Sequence, residues 1–357
     1  MVAIAIRLIN EIWSNTKVGA LFFGAEGSSS YWISVIAITG FTLFYSWRGG
    51  LRSSLITDGA QMLLMAVLVV VVLSTLGPDL FVSELPEVDE STLVSGITFL
   101  CLALVQALSY GFHDPVMTDR AFITSPKRMV KGFCLAGLMA GSFILLFSII
   151  GIYSRSRGLD GTAVVVVSSA LGLPMLLVFN AIMLTSAGST LDSTFASAAK
   201  LVARDWSNDQ ALPTDKHSGF GRRIMLILAL VGNLPLLSIY LGDSVGPAII
   251  AATTISGTMV MGLAPIFLLA WIRAAGKLSF HFAFWPGLFL GILLTLEGVL
   301  GLPILPAILD MGSGRYADDL GANVYGLVIC TGGYLLGALI EKLRPHKEKS
   351  QPRFLID

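Results

Sequence analysis

GLPMLLVFNAIMLTSAGSTLDSTFASAAKLVARDW, residues 172–206, is apolar enough to enter a bilayer yet carries hydroxyls and a carboxylate through its middle. Apolar residues supply 55% of the 357-residue chain and charged residues only 13%. A soluble domain carries about a quarter charged residues, so a mean hydropathy of +0.80 points to lipid as the solvent. A helix needs about 20 apolar residues to cross the hydrocarbon core, and about nine segments meet that length. They run over 29–47, 54–77, 92–113, 129–153, 172–203, 222–241, 246–272, 282–303 and 322–341. The expected fold class is therefore an all-α polytopic membrane protein.

The basic residues set an orientation. Alternate connections collect Arg48 and Arg52, then Arg120 to Lys131, Lys200 to Arg223, Arg273 and Lys277, and the tail from Lys342 to Arg353. The opposite set holds Arg7, Lys17, Arg155, Arg157 and Arg315. That is about eighteen against about five, which by the positive-inside rule puts the C-terminus in the cytoplasm of a cell (inner) membrane protein. Positive and negative side chains balance at 23 each, which argues against nucleic acid as a partner. Cys101, Cys134 and Cys330 sit in apolar runs without metal or redox spacing and read as small buried hydrophobes. Four histidines, with no paired or zinc-protease arrangement in the spans, argue against an intramembrane enzyme or haem protein.

Polar side chains inside hydrocarbon are costly, so each invites a functional reading. In the quoted stretch Ser186, Ser189, Thr190, Ser193 and Ser197 follow at offsets of 3, 4, 7 and 11, which puts them on one helical face. The stripe has two readings. One is close helix packing, where small residues let backbones approach. The other is a cation site, where adjacent hydroxyls and a carbonyl one turn earlier supply oxygen ligands. Asp192 lies beside the stripe, Asp58 opens the second span, and Glu297 sits in the eighth. In the third span, Gly111 and Pro115 predict a backbone break between Tyr110 and Pro115, beside His113 and Asp114.

Four strings, in order, resemble the sodium:solute symporter family, which includes proline, pantothenate and sugar symporters. YSWRGGLRSSLITDGAQ (45–61) is similar to the junction of core helices 4 and 5, and SYGFHDPVMTDRAFITSPKRMVKGF (109–133) to the end of core helix 6. LTSAGSTLDSTFASAAKLVARDW (184–206) resembles core helix 8, and GTMVMGLAPIFLLAWIRAAGKLSFHFAFWPGLFLG (257–291) core helix 10.

The resemblance implies a leucine-transporter type of inverted-repeat fold and a sodium-coupled carrier of a small organic solute, with sodium as coupling ion and no other cofactor. It implies residues 1–28 as the end of a truncated helix plus an extracellular loop, and 29–77 as core helices 4 and 5. Residues 92–272 become the second inverted repeat, 282–341 two peripheral helices, and 342–357 a cytoplasmic tail. Ser189 and Thr190 match side-chain ligands of the main sodium site, with the Ser186 carbonyl. Asp58 and Ser193 match positions tied to a second ion in some members, and Tyr110 matches an aromatic gate, with His113 and Asp114 beside it. Asp192 departs from the family, which more often has a small or hydroxylated residue there. Core helices 1 and 2 and most of 3 have no counterpart, so an upstream segment or a separate chain is expected to supply them. A non-transporting remnant, split half or sensor module on the same fold is the alternative.

Overall fold

The computed structural model describes residues 2–82, 89–122, 124–206, 214–242, 246, 249–250, 253, 257–314 and 316–343. Among these residues every regular element is helical. The α-helices are α1 (Val2–Ala20), α2 (Ser29–Val82), α3 (Glu90–His113), α4 (Pro115–Phe122), α5 (Pro126–Ser156), α6 (Ala163–Ala170), α7 (Leu173–Lys200), α8 (Thr214–Gly232), α9 (Leu263–Leu268), α10 (Lys277–Leu300) and α11 (Ala317–Leu343). A π-helical turn, Leu201–Trp206, extends α7, and a 3₁₀ segment, Leu234–Leu241, follows α8.

Seven stretches of the described residues are helical, long and apolar enough to cross a membrane: Ser54–Leu80, Glu90–His113, Pro126–Ser156, Leu173–Ala203, Gly219–Leu241, Lys277–Leu300 and Ala317–Leu343. Two of the nine expected segments are not among them. Residues 29–47 are helical, but Tyr, Trp, Ser and Thr side chains dilute their apolarity. Within 246–272 the described backbone forms turns over 257–262 and the six-residue α9. Residues 247–248, 251–252 and 254–256 of that segment lie outside the described residues. The N-terminal segment is helical over Val2–Ala20, within the stretch expected to hold the end of a helix and a loop.

Residues 29–47 and 54–77 join in one 54-residue helix, where two separate helices were expected. It is not straight. A straight helix would set Tyr45 and Gln61 about 24 Å apart, yet both reach Gly188 on α7. The Tyr45 hydroxyl is 3.2 Å from the Gly188 carbonyl, and Gln61 Nε2 lies 3.3 Å from where a Gly188 Cβ would stand. Between the two arms lies the Gly49–Gly50 pair, and such pairs are an ordinary cause of a helix kink.

The chain divides into two compact units: Met1–Val88 with Asp114–Thr254, and Asp89–His113 with Ile255–Asp357. In the first, α7 is the spine. Its opening half buries Met175, Phe179 and Ile182 against Val69, Val72 and Leu76 of α2, Ile150 of α5 and Val167 of α6. Its second half packs Ala187, Leu191, Phe195 and Ala199 against Ile12 of α1, Ile38 of α2, and Met225 and Ala229 of α8. Every residue from Leu191 to Ala199 is buried. Gly172 (φ 86°) makes the turn from α6 that no other residue takes as readily, and Pro follows in the first turn of α7.

The second unit is built on close backbone approach. A Cβ on Gly337 of α11 would stand 2.6 Å from the Ser279 backbone of α10, and one on Gly291 would meet the Met259 backbone. Small residues at such spacing let helices touch where lipid offers no hydrophobic drive between them. Glu297 orders the chain after α10: its carboxylate accepts from the Leu305 amide at 3.0 Å and its carbonyl from Gly301. Cys330 is buried in α11, whereas Cys101 and Cys134 are exposed on α3 and α5, contrary to expectation. Both belong to faces whose neighbours, such as Leu104 and Leu138, are also exposed and apolar.

Candidate ion-binding site

The hydroxyl face of α7 meets the second arm of α2. Ser189 donates to Asp58 Oδ1 at 2.5 Å, and the Ser193 hydroxyl stands 3.4 Å from Asp58 Oδ2. Both follow from the sequence period, since residues four apart on a helix share a face. Asp192, one position round the helix from Ser193, turns into the fork of the bent α2. It accepts Ser54 at 2.8 Å on Oδ1, and Thr57 at 2.7 Å and Tyr45 at 3.0 Å on Oδ2. Ser193 adds a contact at 3.2 Å to Oδ1 and lies 3.1 Å from Ser54. Asp192 is 0% exposed.

An ionised carboxylate is acceptor-only, with about four lone-pair sites. Four hydroxyls fill them at Asp192, from both arms of α2 and from α7 itself. Among the described residues Asp192 has no Lys or Arg partner, so hydroxyls alone face its carboxyl group. Ser193 joins the two carboxylates, with one oxygen near Asp58 and near Asp192.

Thr190 of the stripe, and Thr194 beside it, bond back within α7. Thr190 donates to the Ser186 carbonyl at 3.2 Å, and Thr194 to the Thr190 carbonyl at 2.8 Å. These are the usual i→i−4 bonds of helical threonines, made also by Thr185 to the Ala181 carbonyl.

Beside this network lies a cavity of about 420 Å³, lined by residues that include Phe41, Thr42, Tyr45, Gln61, Leu184 and Gly188. Tyr45 belongs to both, lining the cavity and holding Asp192. A few polar groups set in apolar walls of this size are what small-molecule sites use.

The predicted break in the third span is present. Helix α3 ends at His113, Asp114 is non-helical, and α4 starts at Pro115. Asp114 caps α4 by accepting the Val116 amide at 2.9 Å on its carboxylate. Tyr110 and His113 meet edge to face at 5.5 Å within the second unit, with Tyr110 41% exposed and His113 buried. Asp114 belongs to the first unit, 3.9 Å from Arg7 of α1. The structure therefore gathers Asp58, Ser189, Asp192 and Ser193 at one point, and keeps Ser186 and Thr190 paired within α7. It adds Tyr45, Ser54 and Thr57, which the sequence reading passed over as ligating groups. Their only signal was their place in the YSWRGGLRSSLITDGAQ string, flanking Asp58.

Fold and site together define an all-α, multi-pass membrane protein with a buried carboxylate–hydroxyl cluster between two of its helices. The chain matches no protein-family model and no curated protein.

Proposed function

We propose that the chain is a secondary active transporter of the sodium:solute symporter type, coupling sodium influx to uptake of a small organic solute across the cell membrane. The observation that carries this reading is the contact of Ser189 with Asp58, which pairs the hydroxyl face of α7 with a carboxylate inside an apolar span. A stripe serving packing alone needs no carboxylate opposite it. Ser189, Thr190 and the Ser186 carbonyl are the proposed ligands of the first sodium ion. Asp58, Asp192 and Ser193 form the proposed second cation site, and the adjoining cavity offers room for solute. Tyr110, with His113 and Asp114, keeps its proposed part as a gate at the broken end of α3. The basic asymmetry of the connections supports a cytoplasmic C-terminus.

Sodium drives such a carrier only by binding one conformation better than another. The test is unfolding of the chain, purified together with the segment or chain that supplies core helices 1 and 2, in sodium chloride against choline chloride at equal ionic strength. With a dissociation constant of about 10 mM, sodium at 300 mM stabilises by about 2 kcal/mol. The shift is expected in the wild type and absent from Asp58→Asn and Ser189→Ala. Equal melting in both salts, together with no retained radioactive sodium, overturns the reading.

A further inference from the structure

The geometry points to a binding site for anionic phospholipid headgroups at the end of the second unit where α10 begins and α11 finishes. Three cations gather there by construction. Glu341, in the last turn of α11, accepts the Leu278 amide at 2.9 Å and the Ser279 hydroxyl at 3.2 Å. That joint fixes Lys277 and Lys342, each the chain neighbour of a bonded residue, at one end of the helix pair. Two turns of α11 earlier, Tyr334 donates to the Leu269 carbonyl at 3.1 Å. The segment 269–277, which carries Arg273, is therefore strapped along the last turns of α11.

Arg273, Lys277 and Lys342 are all exposed, and among the described residues none of them has a carboxylate partner. The one carboxylate at the joint, Glu341, is engaged with backbone and hydroxyl donors. The sequence continues from Lys342 with Arg344, Lys347, Lys349 and Arg353.

Aromatic exposure selects a lipid over a free anion. Trp271 is 75% exposed and Phe280 40%, two and three residues from Arg273 and Lys277, and Trp285, two turns along α10 from Lys277, is 55% exposed. Trp285 donates its indole N–H to His281 Nδ1 at 3.0 Å, and the two rings stack. Exposed Trp beside unpaired cations, at the end of two apolar helices, matches the headgroup level of a bilayer, where amphipathic rings and cations are both favoured. A soluble phosphate would use the cations and leave these rings in water.

The site takes a lipid phosphate between Arg273, Lys277 and Lys342, with glycerol and upper acyl carbons against Trp271 and Trp285. Each basic residue near an anionic surface contributes about 1 kcal/mol, or about fivefold, so the three together contribute up to about a hundredfold.

The test is native mass spectrometry of the full chain in detergent, titrated with phosphatidylglycerol, phosphatidylcholine or inorganic phosphate. Selective retention of phosphatidylglycerol is expected, falling at least about tenfold in R273Q/K277Q/K342Q. R273K/K277R/K342R is expected to restore it. Wild-type selectivity should also weaken with added salt, a readout that holds even where the triple variant folds poorly. Retention unchanged in a folded triple variant, salt-insensitive selectivity, or displacement of the lipid by millimolar inorganic phosphate each overturns the proposal.

Discussion

Ser189 of α7 stands 2.5 Å from Asp58 of α2, and one turn further on Ser193 links the same carboxylate to Asp192. Two acidic side chains thus share one hydroxyl within an apolar bundle. Asp192, buried and among the described residues without a Lys or Arg partner, is held by the hydroxyls aimed at it. The same donors are oxygens, able to turn their lone pairs toward a cation that arrives.

Asp58→Asn separates those two duties. The amide oxygen still accepts the Ser189 hydroxyl, so stability in choline chloride is expected to change by less than about 1 kcal/mol. The sodium-dependent increment should vanish, because the charge that attracts the ion is gone. Ser189→Ala removes a hydroxyl from a carboxylate that has other contacts, at an expected cost of about 1–2 kcal/mol. A full sodium shift in Asp58→Asn would remove this carboxylate from the ion site.

Asp192 is the stronger structural node. Replacing it with Ala takes the shared acceptor from the Tyr45, Ser54 and Thr57 hydroxyls, leaving Tyr45 the Gly188 carbonyl and Ser54 the Ser193 hydroxyl, and loosens both arms of α2 on α7. Interhelical hydrogen bonds in membranes average about 0.6 kcal/mol each and reach about 1.7, so losing three is expected to cost about 2–4 kcal/mol. Asp192→Asn keeps one acceptor oxygen, and its amide protons find hydroxyls that rotate to accept, so about half that loss is expected. Equilibrium unfolding of the detergent-solubilised protein measures both. Asp192→Ala within about 0.5 kcal/mol of wild type would show that the node bears no stability.

The seven spans were legible because length and apolarity are local properties of the sequence. The hydroxyl face was legible because a helix repeats every 3.6 residues, which alone puts Ser189 and Ser193 together. The partners of Asp192 were not. Tyr45, Ser54 and Thr57 lie about 140 positions away in the chain, where no period connects them, and they converge only because α2 bends. That bend was read as a break between two helices, since Gly49–Gly50 beside Arg48 and Arg52 has the composition of a connection. The backbone stays helical there because no proline intervenes and glycine accepts helical angles as well as others. Of residues 246–272, the part over 257–272 forms turns and the short α9, and much of 247–256 lies outside the described residues.

Lys200 and Asp119 test how unevenly an ion pair divides its burden. Lys200 Nζ is 2.5 Å from Asp119 Oδ1 and fixes α4 to the end of α7. The lysine side chain is 36% exposed and the aspartate 11%. Asp119→Ala frees a lysine that reaches water, at an expected cost below about 1 kcal/mol. Lys200→Ala strands a largely buried carboxylate and is expected to cost more, about 1–3 kcal/mol. A double-mutant cycle should show the second substitution relieving the first. Equal single costs would mean that Asp119 finds water as readily as Lys200.

Gly332 and Gly337 of α11 are predicted to respond to alanine with opposite signs. Nothing lies within 4 Å of a Cβ placed on Gly332, which is exposed. Alanine there removes the helix penalty of glycine and is expected to stabilise by up to about 1 kcal/mol. A Cβ on Gly337 would stand 2.6 Å from both Cα and N of Ser279, and backbone cannot rotate aside as a flexible side chain can. Gly337→Ala therefore has to push α10 from α11 and strain the Glu341 joint to Leu278 and Ser279, at an expected cost of about 1–3 kcal/mol. If propensity governed both sites, both variants would gain. Unfolding curves of the two single variants, side by side, decide between propensity and packing, and a stabilised Gly337→Ala would refute the close approach of the two helices.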